Sequence, residues 1–256
     1  MPTAFGEGLR DWRRRRDMSQ MRLGLAANVS ARHIAFLETG RANPTRGMVL
    51  RLADALEVPR AERNGLLEAA GFAAAYARRD LASQDMAGIR DAMTWTLDRH
   101  APYPGFALDR YWVLQAMNAP AARLFGALGI CTGASLLDAL TGPLRATIEN
   151  WHEVARHMAS RLRTEARHAG GDPLLEDAAR RMLDGLDAEE TRAGVLPAVL
   201  TSRLRVGDQT LAFFSTIAQF GSAEDIAIAD LRIELLFPLD TATRQALEAA
   251  VRSAAS

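Results

Sequence analysis

The chain has 256 residues, 48% of them hydrophobic, a formal net charge of zero and one cysteine, Cys131. That length fits one large domain or two modest ones; a lone cysteine excludes an internal disulfide and a cysteine-rich zinc site, and no window reaches the ~18 consecutive apolar residues of a membrane span. The charge is unevenly spread: residues 1–80 hold 14 Arg against 9 Asp or Glu, residues 81–256 hold 17 against 22, and lysine is absent.

An arginine-rich first third joined to an acidic remainder points to two modules, the first facing a polyanion; a merely solvated basic helix is the alternative. The N-terminus, "MPTAFGEGLRDWRRRRDM", has no apolar core ahead of a small-residue cleavage site, so it does not read as a signal peptide and a soluble cytoplasmic protein with no membrane partner is expected. Phe5, Leu9 and Trp12 share one stripe of a first helix. Ser19 caps a second, from Gln20 to about Ala27, with Leu23 inward. Asn28 ends it at a position that often needs a left-handed residue. Val29 packs inward, and Ser30 caps a third helix from Ala31 to about Glu38. Gly40 and Pro44 make "TGRANPTR" a turn. "GMVLRLADALEV", with Val49, Leu52, Ala53 and Leu56 inward, is a fourth helix, and "AERNGLLEAAGF" a fifth that ends near Gly71. These five helices form an all-α module over residues 1–75. "AAAYARRDLASQDM" then reads as a helical linker, assigned to 76–90.

Residues 91–256 read as a mixed domain. "GIRDAMTWTLDRHAPYP" is a helix stopped by Pro102 and Pro104. "GFALDRYWVLQAMN" reads as two short strands around "DRY", with Phe106, Leu108, Trp112 and Leu114 alternating. "APAARLFGAL" is a short helix. A long helix follows from "GPLRATIENWHE" onward, its stripe set by Leu144, Ile148, Trp151, Ala155, Met158 and Leu162. Asp172 and Pro173 start another, to about Leu186. "LTSRLRVGDQTLAFFSTIAQF" is a hairpin turning at Gly207–Asp208, and "DIAIADLRIELLFP" is one more strand ending at Pro238. The result is an α+β domain with an antiparallel sheet.

The first three helices have helix-turn-helix form. In the third, Ile34 and Leu37 lie about 60° apart and define the buried side, while Arg32, Ala35 and Phe36 cluster opposite. Such a helix fits the major groove of double-stranded DNA, where Arg forks onto guanine and an apolar ring touches a thymine methyl. Gln20 opens the second helix, whose N–H groups favour a phosphate. Arg41, Asn43, Thr45 and Arg46 crowd the next turn, and the run Arg13–Arg16 adds either electrostatic pull or stabilisation of a helix C-terminus. Phe36 packed on the second domain and His33 as a plain surface residue are the alternatives.

The string "MSQMRLGLAANVSARHIAFLETGRANPTRGMVLRLADALEVP" resembles the XRE-type helix-turn-helix of bacterial regulators. With "RNGLLEAAGF", "HAPYPGFALDRYWVLQAMNAPAARLF" and "LRIELLFPLDTAT" in order, the chain resembles the MmyB-like branch from Leu9 to about Leu247. That resemblance implies a DNA-binding N-terminus and a C-terminal PAS-like ligand-binding domain. It implies phosphate contacts at Gln20, His33 and Arg41, and base-facing positions at Ala31, Arg32 and Phe36. The family usually has Gly where Asn28 stands, and the short Ala31 leaves one base position unread. A regulator of this kind acts as a homodimer on two half-sites. The opening of the second domain, with Asp109 in the turn and Asn118 before the short helix, also resembles a PAS domain.

A curved sheet with helices on one face would enclose an apolar space lined by Trp112, Leu114, Trp151, Leu211, Phe213, Phe214 and Ile217; the dull alternative is that they fill a core. The resemblance implies a small hydrophobic effector, lipid- or fatty-acid-like. A second domain that only dimerises or recruits a partner is the competing reading. An enzyme is not expected. "HEVARH" places His152 and His157 about 140° apart on a helix, where they cannot easily share a metal, and "ENWH" has no second copy to build a di-iron site. Trp151 and His152 are expected to pack helix on sheet, Cys131 to be buried and inert, and no metal or cofactor to be bound.

Overall fold

The computed structural model of the chain describes residues 2–187, 199–221 and 223–254. The chain divides into two compact units, residues 1–78 with 164–173, and residues 79–163 with 174–256. The first is all-α and the second α+β.

The first unit contains α1 (Ala4–Arg15), α2 (Gln20–Ala27), α3 (Ala31–Glu38), α4 (Arg46–Ala55) and α5 (Arg60–Ala69). Four of the starts are hydroxyl caps: Thr3, Ser19, Ser30 and Thr45 accept from the amides of Gly6, Arg22, His33 and Met48, each satisfying a donor that the first turn leaves open. The stripes meet in one core, with Leu9, Leu23, Ile34, Leu37, Leu52 and Leu67 buried together. α1 crosses the end of α3 so closely that a Cβ at Gly6 would lie 2.6 Å from the Leu37 carbonyl oxygen.

The stretch expected as a helical linker is helical only at its end, from Gln84 onward. Gly71 ends α5 at φ +83°, and no helix forms between residues 72 and 83. The Asn64 carboxamide accounts for part of this. Its Oδ1 accepts from the amides of Ala75 (2.9 Å) and Tyr76 (3.1 Å), and its Nδ2 donates to the Tyr76 carbonyl at 2.7 Å. A side chain that takes up those backbone groups outcompetes the helical ladder.

The second unit holds a five-stranded antiparallel sheet in the order β2-β1-β5-β4-β3. The strands are β1 (Gly105–Leu108), β2 (Leu114–Met117), β3 (Ser202–Val206), β4 (Gln209–Gln219) and β5 (Arg232–Pro238). The helices are α6 (Ala87–Arg99), α7 (Ala119–Gly126), α8 (Leu136–Thr141), α9 (Trp151–His168), α10 (Pro173–Leu183), α11 (Ile226–Asp230) and α12 (Thr241–Ala254). Asn118 is buried and fully bonded: its Oδ1 caps α7 and accepts from Gly105, while its Nδ2 donates to the Leu97 and Tyr103 carbonyls. One side chain thus joins α6, β1 and α7.

Three sequence expectations change here. The long helix starts at Trp151, not near Gly142, because residues 148–149 pair with β3. Ile148 bridges Leu204, and the Glu149 amide donates to the Arg203 carbonyl at 2.9 Å. Asn150 then binds the Thr201 carbonyl and the Arg203 amide. "IAIAD", expected as strand, is the short helix α11, capped by the buried Asp225. Helices also cover both faces of the sheet rather than one. Ile233 and Leu235 of β5 pack with Met93 and Leu97 of α6, while Glu234 and Leu236, on the opposite face by the period of two, look into a cavity.

Candidate functional site

The exposed ridge of the first unit follows from how α3 is set. Asn28 adopts φ 53°, ψ 51°, and a Cβ at Gly24 would lie 2.4 Å from the Val29 carbonyl oxygen. The α2–α3 turn therefore depends on a close glycine contact and a left-handed residue. That turn buries Ile34 and Leu37 completely and rotates Arg32 and Phe36 outward. Arg32 is exposed and Phe36 half-buried. The guanidinium lies 5.2 Å from the ring centroid, a cation–π distance. Ala31 and His33 are half-buried on the same helix. Beyond it, Arg41, Asn43, Thr45 and Arg46 are exposed. The Arg41 amide donates to the Phe36 carbonyl at 2.8 Å, which fixes the turn under that cluster, and the Thr45 hydroxyl is occupied in capping α4.

Beneath the ridge lies a buried charge network. Glu38, 1% exposed, accepts from Arg13 Nε at 2.6 Å and Nη2 at 2.9 Å, and from Gln20 Nε2 at 2.9 Å. Arg10 adds its charge at 3.5 Å. Burial alone would raise the Glu38 pKa. The hydrogen bonds from Arg13 and Gln20 and the charges of Arg13 and Arg10 outweigh it, holding the carboxyl below the usual carboxylate range. Two expectations are refined. The Gln20 side-chain amide, expected at a phosphate, donates to Glu38. The Arg13–Arg16 run also splits: Arg13 serves Glu38, Arg16 donates to the Leu56 and Glu57 carbonyls, and Arg14 and Arg15 are exposed.

The second unit contains a cavity of about 360 Å³ between α9 and the sheet face that carries Phe106, Phe213, Ser215, Ile217, Glu234 and Leu236. This is the size range of small-molecule sites. Of the residues expected to line it, Trp112, Phe213, Phe214 and Ile217 do. Phe214 belongs mainly to the other side, its ring stacked on Phe237 at 5.5 Å. Leu114, Trp151 and Leu211 are buried but do not line it. Leu114 pairs with Leu108, and Leu211 pairs with Leu204 near the hairpin turn. Trp151, at the start of α9, lies 5.3 Å from the Arg145 guanidinium. His152 is exposed, not packed on the sheet, whereas His157 faces the cavity. Cys131 is exposed, in the loop between α7 and α8.

The polar end of the cavity was not foreseen. Along α9 the lining runs from Val154 through His157 and Met158 to Arg161. The Arg161 Nη2 donates to Glu234 Oε1 at 2.6 Å, and its guanidinium lies 4.4 Å from the Trp112 ring. Arg232 lies 5.0 Å from the same ring. Trp112 is 1% exposed and holds φ +63°, a costly conformation for a bulky residue. The Asp109 turn imposes it: Oδ1 accepts from the amides of Tyr111 and Val113 at 2.8 and 3.0 Å. Burial, then the charge of Arg161, lowers the His157 pKa. A sequence signal for Glu234 existed: it is a charge at an inward position of the apolar run "LRIELLFP".

Residues 89–250 match the model of the MmyB-like transcription regulator ligand binding domain, and residues 4–66 match that of a helix-turn-helix domain. No curated protein matches the chain.

Proposed function

Because the chain belongs to the MmyB-like transcription regulators, with a helix-turn-helix domain ahead of the ligand-binding domain, we propose that it is a bacterial one-component regulator whose affinity for operator DNA is set by a small hydrophobic, lipid-like effector. The DNA half rests on one observation, the Arg32–Phe36 pair standing outward on a helix whose opposite side is fully buried. Arg32 forks onto a guanine edge and Phe36 meets a thymine methyl. Ala31 leaves its base unread. His33, Arg41, Asn43, Thr45 and Arg46 hold phosphates, with the N-terminus of α2 at Gln20 adding backbone donors.

The cavity supports the effector half. A domain that only dimerised or recruited a partner would need no such space. An effector acts only through unequal affinity for two arrangements of the protein. The regulator works as a homodimer on two half-sites. In favour of self-association, α6 shows solvent a tryptophan, Trp95, that is 64% exposed, with Asp91 and Arg99 exposed one turn to either side. An antiparallel two-fold pairing would set each Asp91 against the partner's Arg99.

The test is fluorescence anisotropy of the full chain on an operator selected from random DNA, before and after extraction of copurifying lipid. Specific binding that changes on extraction, and is restored when the extract is returned, is the expected result. Binding that ignores the extract would leave the second domain without a sensing role.

A further inference from the structure

Charge separates possible effectors further, and this step rests on the ligand-binding reading above. Among the described residues that line the cavity, the ionisable ones are His157, Arg161 and Glu234. Arg161 is 18% exposed and Glu234 7%, so their 2.6 Å contact is a largely buried ion pair. The cationic group that would attract a ligand carboxylate therefore already holds one supplied by β5. Burial and the charge of Arg161 lower the His157 pKa, which disfavours its cationic form beside the ion pair. Arg232, beside Trp112 on β5, gives its Nη2 to the Asp109 carbonyl at 3.1 Å and does not line the cavity. Ser202 of β3 and Ser215 of β4 complete the polar lining without charge.

We infer that the cavity selects hydrophobic ligands with an uncharged polar head, such as an alcohol or amide, against free carboxylic acids, and that Glu234 sets this preference. A hydroxyl or amide N–H can donate to the Glu234 carboxylate while its oxygen accepts from Arg161. A ligand carboxylate has no such fit. It would place two anions around one guanidinium in a poorly hydrated space, where two carboxylates sharing a site cannot both stay ionised. The acid then enters more readily in its own neutral, protonated form. Its affinity is thereby linked to pH, while that of a neutral head is not.

The experiment uses the delipidated full chain and three probes with the same tail, decanol, decanamide and decanoate, with binding measured by calorimetry at about pH 8 and about pH 6. At the higher pH the neutral probes should bind at least about tenfold more tightly than decanoate. The gap should narrow by up to about tenfold per pH unit as pH falls, as one linked proton requires. Glu234→Gln removes the resident anion and keeps the shape. It should strengthen decanoate binding about tenfold or more at the higher pH, so that the preference for the neutral probes is lost or reversed. Decanoate binding as tightly as decanol to the unaltered protein, or a decanoate affinity flat in pH, overturns the head-group inference and leaves the cavity reading standing. Should the variant not fold, the pH series on the unaltered protein decides alone. If no probe binds the unaltered protein, the cavity reading fails and this inference with it.

Discussion

Each unit contains a buried pair of arginine and glutamate, and the two pairs have opposite surroundings. Arg13 and Glu38 sit in a seam between α1 and α3 that is packed on all sides, with Gln20 and Arg10 taking up the remaining bonding capacity. Arg161 and Glu234 border open space of about 360 Å³. A pair enclosed by protein has no further partner to meet, so its work is architectural. A pair at a cavity wall can exchange a bond with whatever enters, so its work is selective. The same two side chains give stiffness in one unit and discrimination in the other.

The largest effect that could break this contrast is at Glu38. Glu38→Ala strands the Arg13 guanidinium in the seam, and removing one partner of a buried pair costs about 3–5 kcal/mol. The first unit should melt well below the second, seen as an early transition in the thermal scan and a loss of operator binding. The pair also carries a pH signature. The folded Glu38 has a lowered pKa, so its contribution is fully present above the unfolded carboxyl value of about 4.3. It is lost as pH falls through the lower, folded value. Acid should therefore destabilise the first unit, and Glu38→Gln should flatten that limb of the stability curve. If the early transition moves equally with pH in both proteins, the network is not what acid attacks.

Arg32→Ala comes next, at about 1–3 kcal/mol on the specific site with one base preference relaxed. It should leave the thermal transition in place, since Arg32 is exposed and its cation–π contact is local. Competition titration against single-base variants of the operator measures it. A uniform loss on specific and random DNA would remove Arg32 from base reading.

The two units also differed in how far the sequence disclosed them. In the first, most helix starts carry their own signal, because Ser19, Ser30 and Thr45 cap within three residues and the apolar stripes follow at once. Asn28 announced its left-handed turn in the same local way. The second unit is held by long-range pairing, which no local pattern carries. Leu144 and Ile148 continue the spacing of α9, yet Leu204 of a partner strand, 56 residues later, claims Ile148 and ends the helical reading. "IAIAD" alternates like a strand but folds as α11 once Asp225 caps it. The cavity suffered most. Alternation located Phe213 and Ile217, but Arg161 and Glu234 lie 73 residues apart and meet only because α9 lies across β5.

The smallest predicted effect probes the phosphate side of the ridge. Arg41 is exposed, and its side chain makes no hydrogen bond or ion pair among the described residues, so nothing in the fold depends on its charge. If it neutralises one phosphate, its contribution comes from counterion release and has a defined signature. The slope of log affinity against log salt should shrink by about 0.9 when that contact is lost. Arg41→Ala should weaken operator and random DNA by similar factors, with the base preference unchanged, because a phosphate carries no sequence. This is the inverse of the Arg32 result, and measuring both variants over one salt series separates the two roles. A salt slope unchanged by Arg41→Ala would move the phosphate anchor elsewhere on the turn, to Arg46 first, without touching the reading of Arg32 and Phe36.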